Sequence, residues 1–468
     1  MLSGPQALKT NWTLLCHSDL DTMKATKLFF VVVCGVSMTI WLFLFLGLAG
    51  QDVLPMVDEV EKVSSSIFSL QRQVQQEKEE VRRLKDVLSQ LTAEKLPEKD
   101  LVQQKTDRRP WSEPIPVVVF VCNRPAAVSG LVRRLLSLRP SEYLFPIIVS
   151  QDCDNIPVQR SVAEFREQIS YIKHKSAQQD NVVVPKQHKK FAAYYYIARH
   201  YKLALTQIFD VQNYSTVILL EDDLDVADDF FEYFSATRYL LDKDSMLWCV
   251  SAWNDNGKSH VIDTRANTLL YRSDFFPGLG WMMTRKIWNE LSPKWPAGFW
   301  DDWMREPENR KGRHCIRPEI SRTKMTALGK KGASKGQFFD KHVAKVILNK
   351  APVTFTLMNL DYLLNPTYDL EFDRMVNNSP LVDISEVNAT LAKKEYKSLR
   401  IEYTGNIDFI IKADRLHVMH DFKAGVPRTA YKGVVTCFTN GVRLFLVPDR
   451  RYVKDYDKQW VVPKKFGD

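Results

Sequence analysis

The chain lacks any block dense in lysine and arginine, although its 468 residues carry 65 basic against 56 acidic side chains and a formal charge of +9. That argues against nucleic-acid binding along a basic stripe; the interspersed excess suits anionic ligands instead. It lacks the CxxC spacing of a structural zinc site: the seven cysteines stand far apart, at positions 16, 34, 122, 153, 249, 315 and 437. The GxxxxGK[ST] spacing of a P-loop is missing as well. So is a short apolar core followed by a small-residue cleavage site, which leaves a retained anchor as the reading of the one long apolar run.

What is present starts with that run. Leu28 to Ala49 holds no charge, and a helix of roughly 22 residues at about 1.5 Å per residue matches a bilayer core. Lys24 and Lys27 precede it and Asp52 follows, so residues 1–27 are expected in the cytoplasm and everything beyond about residue 50 in an oxidising lumen. There Cys122, Cys153, Cys249, Cys315 and Cys437 suit disulfides, and their odd number leaves one thiol unpaired. Sequons at Asn213, Asn377 and Asn388 agree with a secretory route.

A seam of Val60, Val63, Ile67, Leu70, Val74, Val81, Leu84, Leu88 and Leu91 then recurs at heptad spacing, predicting a coiled-coil stem over about residues 57–95. Residues 96–113 read as a linker. From Ile115 short β-rich runs alternate with helical stretches: VVVFVC (117–122), a helix through Leu131 to Leu138, FPIIVS (145–150), a helix from about His188 to Ile208, the strand STVILLEDD (215–223) and a helix opening at Asp228-Asp229. This alternation predicts a parallel sheet covered by helices over residues 114–350, and a smaller C-terminal domain within 351–468. Tyr194 to Tyr196 read as core.

Four segments carry candidate chemistry. Glu221-Asp222-Asp223 closes an apolar strand, where open α/β sheets bind ligands, and clustered carboxylates suit a hard divalent cation bridging two phosphates; acidic residues also cap helices. Asp301-Asp302 lies among Phe299, Trp300 and Trp303, where partial desolvation raises a carboxyl pKa toward that of a general base; a solvated acidic turn is the alternative. Phe275 to Trp281 combines glycines with rings, and LGKKGASKGQFF (328–339) reads as a loop able to close over a diphosphate, with Ser334 a hydrogen-bond donor.

Taken together, FPIIVSQDC (145–153), IARHY (197–201), VILLEDDLDVADDFFEYF (217–234), LWCVSAWNDNGK (247–258), YRSDFFPGLGW (271–281), PKWPAGFWDDWMR (293–305), CIRPEISRT (315–323), GQFFD (336–340) and GVPRTAYKGVVT (425–436) resemble the N-acetylglucosaminyltransferase I family over residues 114–462. The resemblance implies a GT-A nucleotide-sugar fold, a single Mn2+ site and inverting transfer of N-acetylglucosamine from UDP-GlcNAc to the 2-hydroxyl of a mannose on a high-mannose N-glycan, by a type II protein of the Golgi membrane. Matched position by position, it makes Asp301 the base and Asp223 the metal ligand. Arg124, Asp152, His200, Asp222 and Ser334 become donor-binding residues. It pairs Cys122 with Cys153 and Cys249 with Cys315. A glycan-binding protein on an inactive transferase fold, and transfer to a protein-linked O-mannose, are the competing readings; the intact carboxylates weigh against the first, and activity on O-mannosyl peptides would mark the second.

The heptad seam predicts self-association through the stem. Sedimentation of the chain with and without residues 56–96 should give a dimer or larger species only when they are present; a monomer in both rejects the idea.

Overall fold

The structure, a computed structural model, describes residues 64–67, 69–79, 113–334, 336 and 338–463. The chain divides into two compact units, Met1–Arg108 and Arg109–Asp468. In the first, residues 64–67 and 69–79 are helical, within the segment whose heptads predict a helix. Its seam side chains Ile67, Leu70 and Val74 are 50%, 63% and 49% exposed. The expected cytoplasmic tail, the apolar anchor at 28–49, the rest of the stem and the linker up to residue 112 lie outside the described residues. Among the described residues no helix is long and apolar enough to cross a membrane.

The second unit holds strands β1 (Val117–Val121), β2 (Ile147–Gln151), β3 (Ser170–Lys173), β4 (Thr216–Glu221), β5 (Leu224–Val226), β6 (Leu247–Ser251), β7 (Leu270–Ser273), β8 (Trp281–Thr284), β9 (His314–Pro318), β10 (Thr323–Met325), β11 (Ser398–Tyr403), β12 (Phe422–Lys423), β13 (Val426–Pro427), β14 (Val435–Thr439) and β15 (Val442–Pro448). Eight form one sheet in the order β3-β2-β1-β4-β8-β6-β9-β7. Continuous apolar runs such as VVVFV in β1 are buried throughout, as strands covered on both faces must be. The expected parallel arrangement holds for β3, β2, β1 and β4 and for β6 with β9. Elsewhere the sheet is mixed: β8 runs antiparallel to both β4 and β6, and β7 antiparallel to β9. The expectation missed this because β7 and β8 are four-residue strands buried along their whole length, and composition carries no mark of strand direction.

Helices Pro125–Leu138 and Ile156–Ala163 connect the first three strands. The helix expected near His188 begins as a 3₁₀ turn, Lys186–Phe191, continues as an α-helix over Ala192–Thr206 and ends in a π-turn. Beyond the main sheet, β11, β15 and β14 form a three-stranded sheet whose core includes Ile401, Phe409, Ile410 and Leu444. Val261 and Phe275, from loops beside the main sheet, belong to that same cluster, so the two sheets share packing.

Two disulfides tie adjacent parallel strands. Cys122 and Cys153 follow the register pair Val121 and Gln151 and are bonded. Cys249 and Cys315 lie directly opposite one another on β6 and β9, with Cα atoms 4.6 Å apart. Cys437 is free and buried, and burial pushes its thiol up to about 12.

Gly280 leads into β8 at φ +87°, and a Cβ there would lie 2.5 Å from Thr323 Cγ2. Gly280→Ala therefore meets both a left-handed backbone and a clash, and should destabilise the fold by about 1–3 kcal/mol. Calorimetric unfolding checks it; an unchanged melting temperature would show that the loop relaxes freely.

Candidate functional site

From β1 the chain moves to β2 and β3 on one side, then returns to β4 on the other. Connections part between β1 and β4, and such a switch point leaves a crevice at the carboxyl ends of the strands. The sequence places charge there. Arg124 follows β1, Glu221 ends β4, and Asp222 and Asp223 come next. They adjoin a cavity of about 390 Å³ whose walls include Arg124, Tyr194, Tyr201, Glu221, Trp253, Asp255, Trp300, Asp301 and Ser334.

Arg124 holds the acidic cluster together. One guanidinium nitrogen lies 2.5 Å from Asp222 Oδ1 and the other 2.9 Å from Asp223 Oδ2. Glu221 accepts from the Tyr201 hydroxyl at 3.0 Å, and the Tyr201 ring is stacked between Phe120 and Trp300, at 3.9 and 4.2 Å. Burial, with the charge of Asp223 next, raises Glu221 to about 7. Burial likewise raises Asp222 to about 7 against the opposing pull of Arg124. A site that pushes protons onto its own carboxylates is short of positive charge.

Asp223 shows where such charge fits. Its Oδ1 is buried and has no hydrogen-bond partner among the described residues, although buried carboxylate oxygens are nearly always paired. An acceptor-only oxygen left unpaired beside a cavity is a fitting ligand for a hard divalent cation. The glycine-lysine loop closes on the same carboxylate. Thr326 N donates to the Asp223 carbonyl at 2.8 Å. A Cβ on Gly329 would lie 2.4 Å from the Met325 side chain and 3.4 Å from Asp223 Oδ2, so any larger residue here would have to displace Met325. Ser334, further along the loop, is exposed and lines the cavity.

Asp301 and Asp302 occupy the first turn of the helix Trp300–Arg305, which Phe299 enters in the left-handed region at φ 54°. Arg305 reaches back to both, 2.9 Å to Asp301 Oδ2 and 2.8 Å to Asp302 Oδ1. Lys423 adds a contact to Asp302 at 3.2 Å. The expected upward shift from the surrounding rings fails for Asp302. Burial does push it up, but Arg305 and Lys423 outweigh that and hold the carboxyl below its ordinary range. Tyr194, read as core, instead lines the cavity and stacks on Phe299 at 5.0 Å; Tyr195 is the buried neighbour.

Asp152 and His200 form a second pair, which does not line the cavity. His200 Nδ1 lies 3.3 Å from Asp152 Oδ1, and its Nε2 2.9 Å from the Ser150 hydroxyl. Burial drives His200 well below its ordinary value, with His174 adding to the effect. The ring is neutral at physiological pH and fixed at both nitrogens. Asp152, also buried, is raised to about 6, partly offset by Arg199. Cys122, Cys153 and Asp152 come close enough to suggest a metal cluster, but both sulfurs are spent in the disulfide.

Arg124, Asp223, Asp301 and Ser334 thus share one cavity, Asp222 stands behind Arg124, and Asp152 with His200 stands apart. Sequence reasoning assigned nothing to Trp253, Asp255, Lys423 or Arg428, all on the cavity wall. The strand-end rule that found Asp222 and Asp223 could have found Trp253 and Asp255, which follow β6. Arg428, in a loop far along the chain, gave no such signal.

The arrangement is that of a mixed α/β protein with its ligand crevice at a strand switch point. The chain belongs to the GNT-I family, whose model matches residues 49–460. The alpha-1,3-mannosyl-glycoprotein 2-beta-N-acetylglucosaminyltransferase of Arabidopsis thaliana is 39% identical over 398 residues, 84% of this chain and 86% of the relative. Among solved structures, Staphylococcus aureus TarS 1-349 aligns at a TM-score of 0.33 and 11% identity, over 57% of this chain and 73% of its own. Mannosyltransferase PcManGT from Pyrobaculum calidifontis, in complex with GDP-Man and Mn2+, aligns at 0.30 and 13%, over 61% and 81%. Likeness at that level carries no weight for the chemistry of this chain.

Asp152 makes a pH prediction. Its folded value of about 6 exceeds the ordinary 3.8, so the folded chain binds this proton more tightly, and the stability it contributes falls as pH rises from about 4 to about 6. Asp152→Asn removes the ionisation. Relative to the parent it should gain up to about 3 kcal/mol at pH 7 and nothing near pH 4. Urea unfolding at several pH values reads this out; a difference independent of pH would refute it.

Proposed function

We propose that the chain transfers N-acetylglucosamine from UDP-GlcNAc to the 2-hydroxyl of the α-1,3-linked mannose of a five-mannose N-glycan, with inversion at the anomeric carbon, and so initiates hybrid and complex N-glycans. Family membership and the Arabidopsis relative support the activity. The structural observation that carries it is a carboxylate on a helix, Asp301, sharing a cavity with an unpaired carboxylate oxygen on Asp223. These are the two groups that a metal-assisted single displacement on a nucleotide sugar needs.

In this reading the catalytic part has a GT-A fold. Asp301 takes the proton from the mannose 2-hydroxyl as that oxygen bonds to the anomeric carbon. The bond from that carbon to the β-phosphate oxygen breaks, and UDP departs with the electron pair. Arg305, bound to Asp301, keeps the carboxylate oriented to accept the proton. Asp223 would hold Mn2+, which when bound neutralises charge on the diphosphate. Arg124 spans Asp222 and Asp223 and adds positive charge beside the same group; Glu221, pinned by Tyr201, completes the wall. Asp152 and the neutral, rigidly held His200 serve the nucleotide, and the loop carrying Ser334 closes over the phosphates. The protein acts from the Golgi membrane with its catalytic part lumenal, and the stem pairs copies of the chain.

Incubation of the purified chain with UDP-GlcNAc and a five-mannose glycan should give a β1,2-linked product that EDTA abolishes and Mn2+ restores. Asp301→Asn should lower kcat by about 10²–10⁴-fold while UDP-GlcNAc still binds. An unimpaired rate would remove Asp301 from the mechanism. Transfer only to O-mannosyl peptides would replace the acceptor.

A further inference from the structure

Beside the groups given a role above, the cavity wall carries two buried polar atoms with no partner among the described residues: the indole Nε1 of Trp253 and the Oδ2 of Asp255. The residues are 1% and 5% exposed, and both line the cavity. One atom can only donate and the other, ionised, only accept. Buried groups of this kind are costly unless something pairs with them.

Asp255 is held in place. Its Oδ1 takes Arg428 at 2.6 Å, and Arg428 also clasps Asp421 at 2.8 Å. Arg428 thus holds Asp255 in one orientation, with one oxygen engaged and the other open. The pair also lies near Asp301. The Phe275 ring has the Arg428 guanidinium 5.0 Å from its centre and that of Arg305 4.9 Å from it, and Arg305 binds Asp301. A short chain of contacts therefore runs from Asp301 through Arg305, Phe275 and Arg428 to Asp255.

A fixed acceptor beside a fixed donor matches the hydroxyls of a sugar, where one group donates to the carboxylate and another accepts from the indole. Arg124, with the cation that Asp223 would hold, is separately placed for the donor's phosphates. We infer that Trp253 and Asp255 form the subsite that grips the acceptor mannose through hydroxyls other than the one that reacts, and so decide which sugar is glycosylated. This rests on the transferase reading above. Discrimination of this kind is strong because a sugar lacking the matching hydroxyl leaves the buried carboxylate unpaired.

The test uses the full chain, UDP-GlcNAc and synthetic mannosyl acceptors that each lack one hydroxyl other than the 2-hydroxyl. Asp255→Asn should raise the acceptor KM about 10- to 100-fold, leaving the donor KM and the hydrolysis of UDP-GlcNAc without acceptor within about two-fold. One deoxy acceptor should suffer a similar loss with the parent protein and little further loss with Asp255→Asn, because the contact is already gone. Trp253→Phe should show the same pattern with a different deoxy acceptor, and it serves alone if Asp255→Asn does not fold. A rise in donor KM, or deoxy penalties equal in parent and variants, would overturn the subsite. Titration of the glycan against the parent and variant proteins separates this from the transferase reading. Binding sensitive to Asp255→Asn without turnover would keep the subsite and reject transfer; turnover with binding insensitive to both variants would do the reverse; no binding would reject both.

Discussion

Three consecutive carboxylates at the end of a buried strand repel one another and lose their hydration, and the site exists because Arg124 sits where it can answer two of them. That placement is topological. Arg124 follows β1 and the carboxylates end β4, so the contact requires β1 and β4 to be neighbours although almost a hundred residues separate them in the chain. Uniformly apolar central strands bring this about, since their burial on both faces is what drives the sheet together. Even so, the local charge remains unbalanced, as the upward shifts of Glu221 and Asp222 register.

A wall of aromatic rings sets the other limit of the cavity. Phe120, Tyr201 and Trp300 stack in succession, and Trp300 lies parallel to both Trp281 and Trp295. Trp300 opens the helix that bears Asp301, so this stack determines how far Asp301 stands from the acidic cluster. Rigid rings lose little entropy on packing and leave no soft degree of freedom between the two groups. The carboxylates are thus positioned by apolar contacts rather than by one another.

Much of this was legible in the sequence because strand ends are legible. Apolar runs that stop at charged residues gave Asp222 and Asp223, and the position of Asp301 among aromatic residues marked it out; Arg124 and Asp152 came from the family resemblance, with which their places just after strands agree. The places of β1, β2 and β4 in the chain and the helix opening after Asp229 followed from the same patterning, although β4 ends at Glu221, before Asp222 and Asp223. Where the reading failed, the deciding contact was distant in the chain. Asp302 is pulled down partly by Lys423, more than a hundred residues away, so its local surroundings suggested the wrong direction. Tyr194 faces the cavity because Phe299 stacks on it, and helical periodicity alone could not tell that face from the buried one. The antiparallel half of the sheet escaped because short, wholly buried strands have no pattern that encodes direction.

The bond between Cys122 and Cys153 has a consequence for how the protein is made. Arg124 lies two residues beyond one sulfur and Asp152 one residue before the other, so the loops that present these charged groups are stapled together at their roots. Where thiols are kept reduced, the strands retain every apolar reason to assemble, but the loops lose their covalent link. The sheet and the link at the root of the crevice thus depend on different conditions, the first on water and the second on an oxidant. A preparation can be fully folded by its secondary structure and still hold a fraction of molecules with an unfinished crevice, so thiol titration is the purity criterion that matters for this chain.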